Sequence, residues 1–119
     1  MRAWVYDPHT GGRPIPVMVR RRTEQRIRSH AEAHYAGKFR RLDIRFRGAL
    51  CYIDAWVDER TTGPLHLCRL RFLGNEEAWS LAFYTYSHER YEPTFFPNGT
   101  FQGTPEEAFD VGAVYLQYE

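Results

Sequence analysis

A short run near the end of one predicted strand, Ser-His-Glu-Arg-Tyr, brings together the residue types of a metal-independent ribonuclease. A histidine such as His88 can act as a general base, and a carboxylic acid such as Glu89 can act as a general acid. A guanidinium such as Arg90 can hold a phosphate through paired hydrogen bonds. With Tyr91 as a hydrogen-bond donor, these residues form one candidate catalytic set. Three residues expected nearby could add to it: Arg45, Arg47 and Tyr86.

A second run, LCYIDAW at residues 50–56, predicts a two-sided strand. Successive side chains of a β-strand point to opposite faces. One face would carry Tyr52, Asp54 and Trp56, which suit a working surface. The other face would carry Cys51, Ile53 and Ala55, which suit a core.

Seven elements are predicted to position these residues within a single domain over residues 1–119. Apolar residues at every fourth position from Val19 to Tyr35 predict a helix over 16–36, which Gly37 would end. Thr104 as N-cap, followed by proline, predicts a helix over 105–117. Strands are predicted at 2–6, 42–47, 50–58, 65–73 and 79–87. The order β-α-β-β-β-β-α indicates an α+β fold, a two-layer sandwich in which an antiparallel four-stranded meander packs under both helices.

The turns between the strands predict their register. Because the side-chain period is two, the three hairpins must agree on which residues face the core. His66 would then point into the core, and Cys51 and Cys68 would lie too far apart to form a disulfide. The predicted pairs are Arg45 with Tyr52 (if Gly48-Ala49 is a turn), Cys51 with Phe72, Asp54 with Arg69, Phe72 with Leu81 and Arg69 with Tyr84.

In this register the sheet face away from the core mixes arginines with aromatic residues. Arginine supplies planar donors and aromatic rings supply stacking planes, a mixture that binds single-stranded RNA on open sheets. The same mixture suits a peptide or an oligomer interface, or plain cross-strand pairing in which Asp54 neutralises an arginine. The predicted binding residues are Arg45, Arg47, Tyr52, Asp54, Trp56, Arg69, Arg71, Tyr84, Tyr86 and His88.

The C-terminal helix carries a second apolar stripe besides the one expected to face the core. A helix that is apolar on most sides is either buried or docked on a partner, so self-association or a partner protein is expected. The predicted interface residues are Val111, Val114, Tyr115 and Tyr118.

Charge and composition restrict the class of protein. Residues 1–50 contain 12 Arg and Lys against 4 Asp and Glu, while residues 51–119 contain 4 against 11, so the halves carry +8 and −7. This asymmetry favours an anionic partner, or mutual neutralisation of the two halves on folding. Two cysteines and the absence of an apolar span or signal pattern predict a cytoplasmic protein without membrane association. His30 and His34 have the i, i+4 spacing of a metal pair but lack an evident third ligand, so no metal and no cofactor is predicted.

Four blocks, YDPHTGG, RFRGALCYIDAW, WSLAFYTYSHERYEP and GTPEEAF, resemble a family of small bacterial proteins of unknown function. The resemblance covers nearly the whole chain but implies no activity, cofactor or residue role. From the residues alone we therefore expect a small binding or interaction domain whose outer sheet face engages an anionic or extended partner. A ribonuclease built on His88 and Glu89, and a structural homodimer, are the alternatives.

Overall fold

A computed structural model describes residues 11–58 and 63–116 of the chain. It confirms the α+β class, with an antiparallel sheet and a helix towards each end of the chain. The predicted strand at 2–6 lies outside the described residues. The elements are α1 Val17–Tyr35, β1 Arg41–Arg47, β2 Leu50–Trp56, β3 Leu65–Arg71, β4 Trp79–Thr85, β5 Arg90–Pro93, β6 Gln102–Gly103 and α2 Pro105–Gly112, followed by a short 3-10 helix, Ala113–Leu116.

Helix α1 presents one apolar face to the core, as its four-residue repeat predicts. Its buried residues are Val19, Thr23, Ile27 and Ala31. Gly37 follows the helix with a φ of 84°, the left-handed conformation that commonly ends a helix and that glycine adopts without steric cost.

The sheet runs in the order β1-β2-β3-β4-β5, and every neighbouring pair is antiparallel. Two short strands that the sequence did not predict complete it. β5 pairs with the second half of β4, while β6 pairs with Trp79 and Ser80 at its beginning. These two strands therefore pair with different parts of the same edge of β4, the edge that does not pair with β3.

The first hairpin has the predicted register. Gly48 and Ala49 form the turn, Phe46 pairs with Cys51, and Arg45 pairs with Tyr52. A two-residue turn of this kind needs a positive φ, which Gly48 supplies at 59°.

The next two hairpins differ from the predicted register by two residues. Cys51 pairs with Leu70 and not with Phe72, while Leu70 pairs with Leu81. The connection between β3 and β4 is longer than the predicted turn, because β3 ends at Arg71 and β4 begins at Trp79. A shift of two residues leaves each side chain on its predicted face.

A β-bulge causes a larger correction. Ile53 pairs with Cys68 but Asp54 pairs with His66, so Leu67 is an extra residue on β3. Leu67 and Cys68 are both fully buried. The bulge turns His66 to the outer face beside Asp54, so the prediction that His66 points into the core is wrong. The predicted pair of Asp54 with Arg69 is wrong because of the register shift, since Arg69 pairs with Tyr52.

Helix α2 begins as predicted and ends earlier. Thr104 accepts a hydrogen bond from the main chain of Glu107, whose side chain accepts one from the main chain of Thr104, which makes a capping box. The helix stops at Gly112 rather than continuing to 117, and a 3-10 turn follows. No helix in the described part of the chain is long and apolar enough to cross a membrane.

The core lies between the helices and one face of the sheet. It contains both cysteines, which are free, and burial raises the pKa of each thiol well above its ordinary value. Its largest fully buried side chains are Trp79, Phe96, Phe109, Ile15, Ile27, Ile53, Leu67 and Leu70.

Candidate functional site

The sheet face that points away from the core collects the charged and aromatic residues of five strands. We call it the outer face. It follows from strand alternation, because its members alternate with the buried residues of β1 to β4. Its members are Arg41, Asp43, Arg45, Arg47, Tyr52, Asp54, Trp56, His66, Arg69, Arg71, Tyr84 and Tyr91.

Three guanidinium groups of the outer face lie over aromatic rings of neighbouring strands. Arg41 lies 4.8 Å from the ring centre of Trp56, and Arg45 lies 5.0 Å from that of Tyr52. Both pairs sit directly opposite each other on β1 and β2. On the other side of β2, Arg69 lies 5.4 Å from the ring centre of Tyr91. Such contacts orient the guanidinium group over the ring.

The aromatic rings are themselves held in place. The indole Nε1 of Trp56 donates to Asp43 at 2.8 Å, and this hydrogen bond holds the pKa of Asp43 below its ordinary value. The ring of Tyr91 makes edge contacts with Tyr52 and Tyr84, at centroid distances of 5.6 and 4.9 Å. The outer face is therefore a connected layer of rings and guanidinium groups.

A buried carboxylate lies in the middle of this layer. Asp54 is only 3% exposed. Arg45 Nη2 donates to its Oδ2 at 3.2 Å, and the Nδ1 of His66 lies 3.0 Å from its Oδ1. Burying a carboxylate is costly unless it is paired and hydrogen-bonded. The Arg45 guanidinium and the His66 imidazole are the partners that offset that cost.

The tautomer of His66 follows from its partner. A carboxylate only accepts hydrogen bonds, so Nδ1 must carry the proton that it shares with Asp54, which leaves Nε2 as the second functional atom of the ring. The imidazole is 36% exposed and lies 4.7 Å from the ring of Tyr84. The main-chain N–H of His66 donates to the hydroxyl of Tyr86 at 2.7 Å, which fixes the start of β3.

The hydroxyl of Tyr91 is buried without a hydrogen-bond partner among the described residues. Burial, with the nearby carboxylate of Asp54 as the next cause, raises the pKa of Tyr91 well above its ordinary value, so the hydroxyl keeps its proton. The ring of Tyr91 lies 6.3 Å from that of His66. An unpaired buried hydroxyl costs about 1–3 kcal/mol.

The predicted catalytic set lies elsewhere, at the tight turn between β4 and β5. His88 and Arg90 both hydrogen-bond to Glu92, at 2.9 and 3.0 Å, and these bonds, that of Arg90 first, hold the pKa of Glu92 below its ordinary value. Glu89 has a φ of 53° and is exposed in the turn. The described contacts thus bring His88 and Arg90 to Glu92 rather than to Asp54.

The remaining predicted binding residues occupy the borders of the outer face. Arg47 is exposed at the end of β1, and Tyr86 is exposed in the β4–β5 turn. Arg71 is only 7% exposed, and its Nη1 donates to the main-chain oxygen of Gly11 at 2.8 Å. The side chain of Arg71 is therefore held by the main chain of Gly11 and is largely shielded from solvent.

The predicted interface residues on and after α2 separate into two groups. Tyr115 stacks on Phe83 at 5.0 Å and donates to the main-chain oxygen of Tyr84 at 2.6 Å, so it is engaged within its own chain. Val111 is half-buried and Val114 is 40% exposed. Tyr118 lies outside the described residues.

The helix layer has a groove of about 710 Å³ whose charges largely satisfy one another. Arg22 pairs with Glu76, and Arg26 pairs with both Glu77 and Glu106. For these residues the predicted neutralisation between the two halves of the chain is confirmed. The groove is therefore a weaker candidate for an anion site than the outer face.

The histidine pair of α1 is also engaged within the chain. His30 Nε2 lies 2.7 Å from Asp110 Oδ1, and the rings of His30 and His34 lie 4.6 Å apart. Within residues 11–58 and 63–116, no three histidine, cysteine or acidic residues are grouped as metal ligands would be.

Sequence reasoning missed four members of the outer face: Arg41, Asp43, His66 and Tyr91. His66 was assigned to the core because a bulge reverses the alternation of β3, and no glycine or proline marks that bulge. Tyr91 belongs to β5, a strand of only four residues.

Comparisons with protein-family models, with curated proteins and with solved structures find no match to this chain.

Proposed function

We propose that the protein is a single-stranded nucleic-acid-binding domain and that RNA lies across its outer face. The observation that carries the proposal is the set of three arginines held over three aromatic rings on one face of a sheet. Guanidinium groups bind phosphates, and exposed ring faces and guanidinium planes stack on unpaired bases. A sheet is a suitable platform because it keeps these groups in fixed rows.

The charge balance of the outer face supports an anionic ligand. The face carries five arginines, of which Arg71 is nearly buried, against two aspartates. The side chains of Arg41 and Arg45 are 62% and 58% exposed, although each also contacts an aspartate. The arginines of the groove on α1 are instead paired with glutamates from distant parts of the chain.

We place this function in the cytoplasm. Both cysteines are free thiols in the core, which suits a reducing compartment. The proposal needs no metal and no cofactor, and it treats self-association through Val114 as a separate property that light scattering of the same sample would report.

Binding of a labelled single-stranded RNA, followed by fluorescence anisotropy across a range of salt concentrations, tests the proposal. Arg41→Ala with Arg47→Ala removes two exposed charges that do not contact Asp54. We expect affinity to fall about tenfold or more and the salt slope to fall by about 1.4, since each phosphate contact with a single strand contributes about 0.7.

The matched control removes two exposed arginines from the opposite layer, Arg21→Ala with Arg22→Ala. Net charge changes equally, so a change in affinity confined to the first variant assigns binding to the outer face. Tyr52→Leu tests stacking, and we expect it to weaken binding by about 1–3 kcal/mol. Equal affinity of all variants, or an RNA affinity too weak to measure in the wild type, would contradict the proposal.

A further inference from the structure

Asp54, which is buried, and His66, which is partly exposed, form a hydrogen-bonded pair on the outer face that could take part in a reaction. We propose that the face cleaves the RNA that it binds, with His66 as the general base and without a metal ion. This inference rests on the proposed function, because the RNA must first lie across the outer face. It assigns the reaction to a residue other than the exposed His88 of the β4–β5 turn.

The geometry of the pair is that of an oriented base. Asp54 Oδ1 lies 3.0 Å from His66 Nδ1, so the carboxylate fixes the tautomer and the ring orientation. The same arrangement of carboxylate and imidazole prepares the distal nitrogen for proton abstraction in catalytic triads. Arg45 binds the second oxygen of the carboxylate at 3.2 Å and so restrains the carboxylate from rotating away from the imidazole.

A pair that served stability alone would not need to be ionic. Replacing a buried ion pair by apolar residues is often neutral or stabilising, so stability alone does not explain a carboxylate that is 3% exposed in the middle of a sheet. Orientation of a partly exposed imidazole is a role that this carboxylate can serve.

A guanidinium near the imidazole can meet a second requirement of phosphodiester cleavage, which is stabilisation of negative charge on the phosphate. Arg69 lies over the ring of Tyr91, and that ring in turn lies 6.3 Å from the ring of His66. A guanidinium there would stabilise the charge that develops on the phosphate oxygens.

The reaction is an internal transesterification of RNA. His66 Nε2 takes the proton of a ribose 2′-hydroxyl, and the 2′-oxygen forms a bond to the adjacent phosphorus. The bond from phosphorus to the 5′-oxygen of the next nucleotide breaks, that oxygen takes a proton from water, and the imidazolium returns its proton to the resulting hydroxide. The products are a 2′,3′-cyclic phosphate and a free 5′-hydroxyl, and no oxidant, reductant or other reactant is consumed.

A labelled DNA strand with one internal ribonucleotide, incubated with the full-length protein in the presence of EDTA, tests the inference. We expect a single cut at the ribonucleotide, with a cyclic phosphate on the upstream fragment, and no cut in the all-DNA strand. At saturating RNA, His66→Ala should lower the cleavage rate about 100-fold or more. His34→Ala, on the exposed side of α1, is the control purified in parallel.

Asp54 is a positioning residue in this account, and Asp54→Asn separates that role from folding. In folded protein, shown by an unchanged circular dichroism spectrum, we expect the rate at saturating RNA to fall with little change in the concentration that half-saturates the protein. RNA that binds but stays intact, cleavage that EDTA abolishes, or a His66→Ala variant as active as the wild type would each overturn the inference and leave the binding proposal standing. RNA that does not bind at all would overturn both.

Discussion

Gly112 of α2 lies directly against the main-chain carbonyl of Leu67, the extra residue of the bulge in β3. A Cβ atom at position 112 would stand 2.8 Å from that oxygen, closer than real Cβ contacts allow. Helix α2 therefore packs directly against the β-bulge that turns His66 towards Asp54. At this contact, the packing of α2 in the core affects the position of His66 on the outer face.

Gly112→Ala tests that connection. The added methyl group must displace either α2 or the bulge, and overpacking of this kind costs about 1–3 kcal/mol of unfolding free energy. We expect this loss in urea denaturation, together with changed chemical shifts of the His66 ring in NMR spectra. Gly63→Ala is the control, because a Cβ there meets no atom of the described residues within 4 Å. Equal stability of the two variants would show that the contact is not tight.

The ion pair between Arg26 and Glu106 joins α1 to α2 and predicts a pH dependence. Hydrogen bonds from Arg26 hold the pKa of Glu106 below its ordinary value of 4.5. A lowered folded-state pKa contributes stability above the unfolded-state pKa, and this contribution is lost as the pH falls through the folded-state value.

Glu106→Gln should therefore reduce the unfolding free energy by about 1 kcal/mol at pH 7, since the pair is partly exposed. The difference from wild type should shrink as the pH falls below about 4.5. Denaturation at a series of pH values measures it, with Glu32→Gln on the exposed side of α1 as the control. A difference that stays constant from neutral to acidic pH would show that the charge of Glu106 is not the cause.

The capping box predicts how much the start of α2 depends on Thr104. Its hydroxyl accepts from the main-chain N–H of Glu107 at 3.2 Å, and the Glu107 carboxylate accepts from the N–H of Thr104 at 2.8 Å. Thr104→Ala should cost about 1 kcal/mol in thermal or urea denaturation. Thr104→Ser keeps the hydroxyl and should lose much less, so equal losses would assign the effect to the methyl group instead.

The sequence predicts most of this fold because apolar alternation is strong where one face of a strand is buried. The two faces of β2 follow from that rule. The four-residue repeat of α1 follows from the helical period, and the turn at Gly48 follows from the positive φ that glycine allows. The end of α2 at Gly112 was missed because the sequence continues apolar to Leu116, while the turn into a 3-10 helix depends on tertiary packing.

The candidate site was only partly predictable for a related reason. Arg45, Tyr52, Asp54 and Trp56 were found because two adjacent strands alternate cleanly. The partner of Asp54 was not, because one inserted residue, Leu67, reverses the pattern of β3 at that point. A bulge without glycine carries no local signal, and only the pairing of β3 with β2 reveals it.

The most direct measurement of the central claim is photo-crosslinking of the wild-type protein to single-stranded RNA that contains 4-thiouridine, with the attached residues identified by mass spectrometry. Bases stacked on the outer face should attach to Tyr52, Trp56 or Tyr84, and unlabelled RNA should compete the reaction away. Crosslinks confined to α1, or none that unlabelled RNA removes, would contradict the assignment of the outer face as the RNA-binding surface.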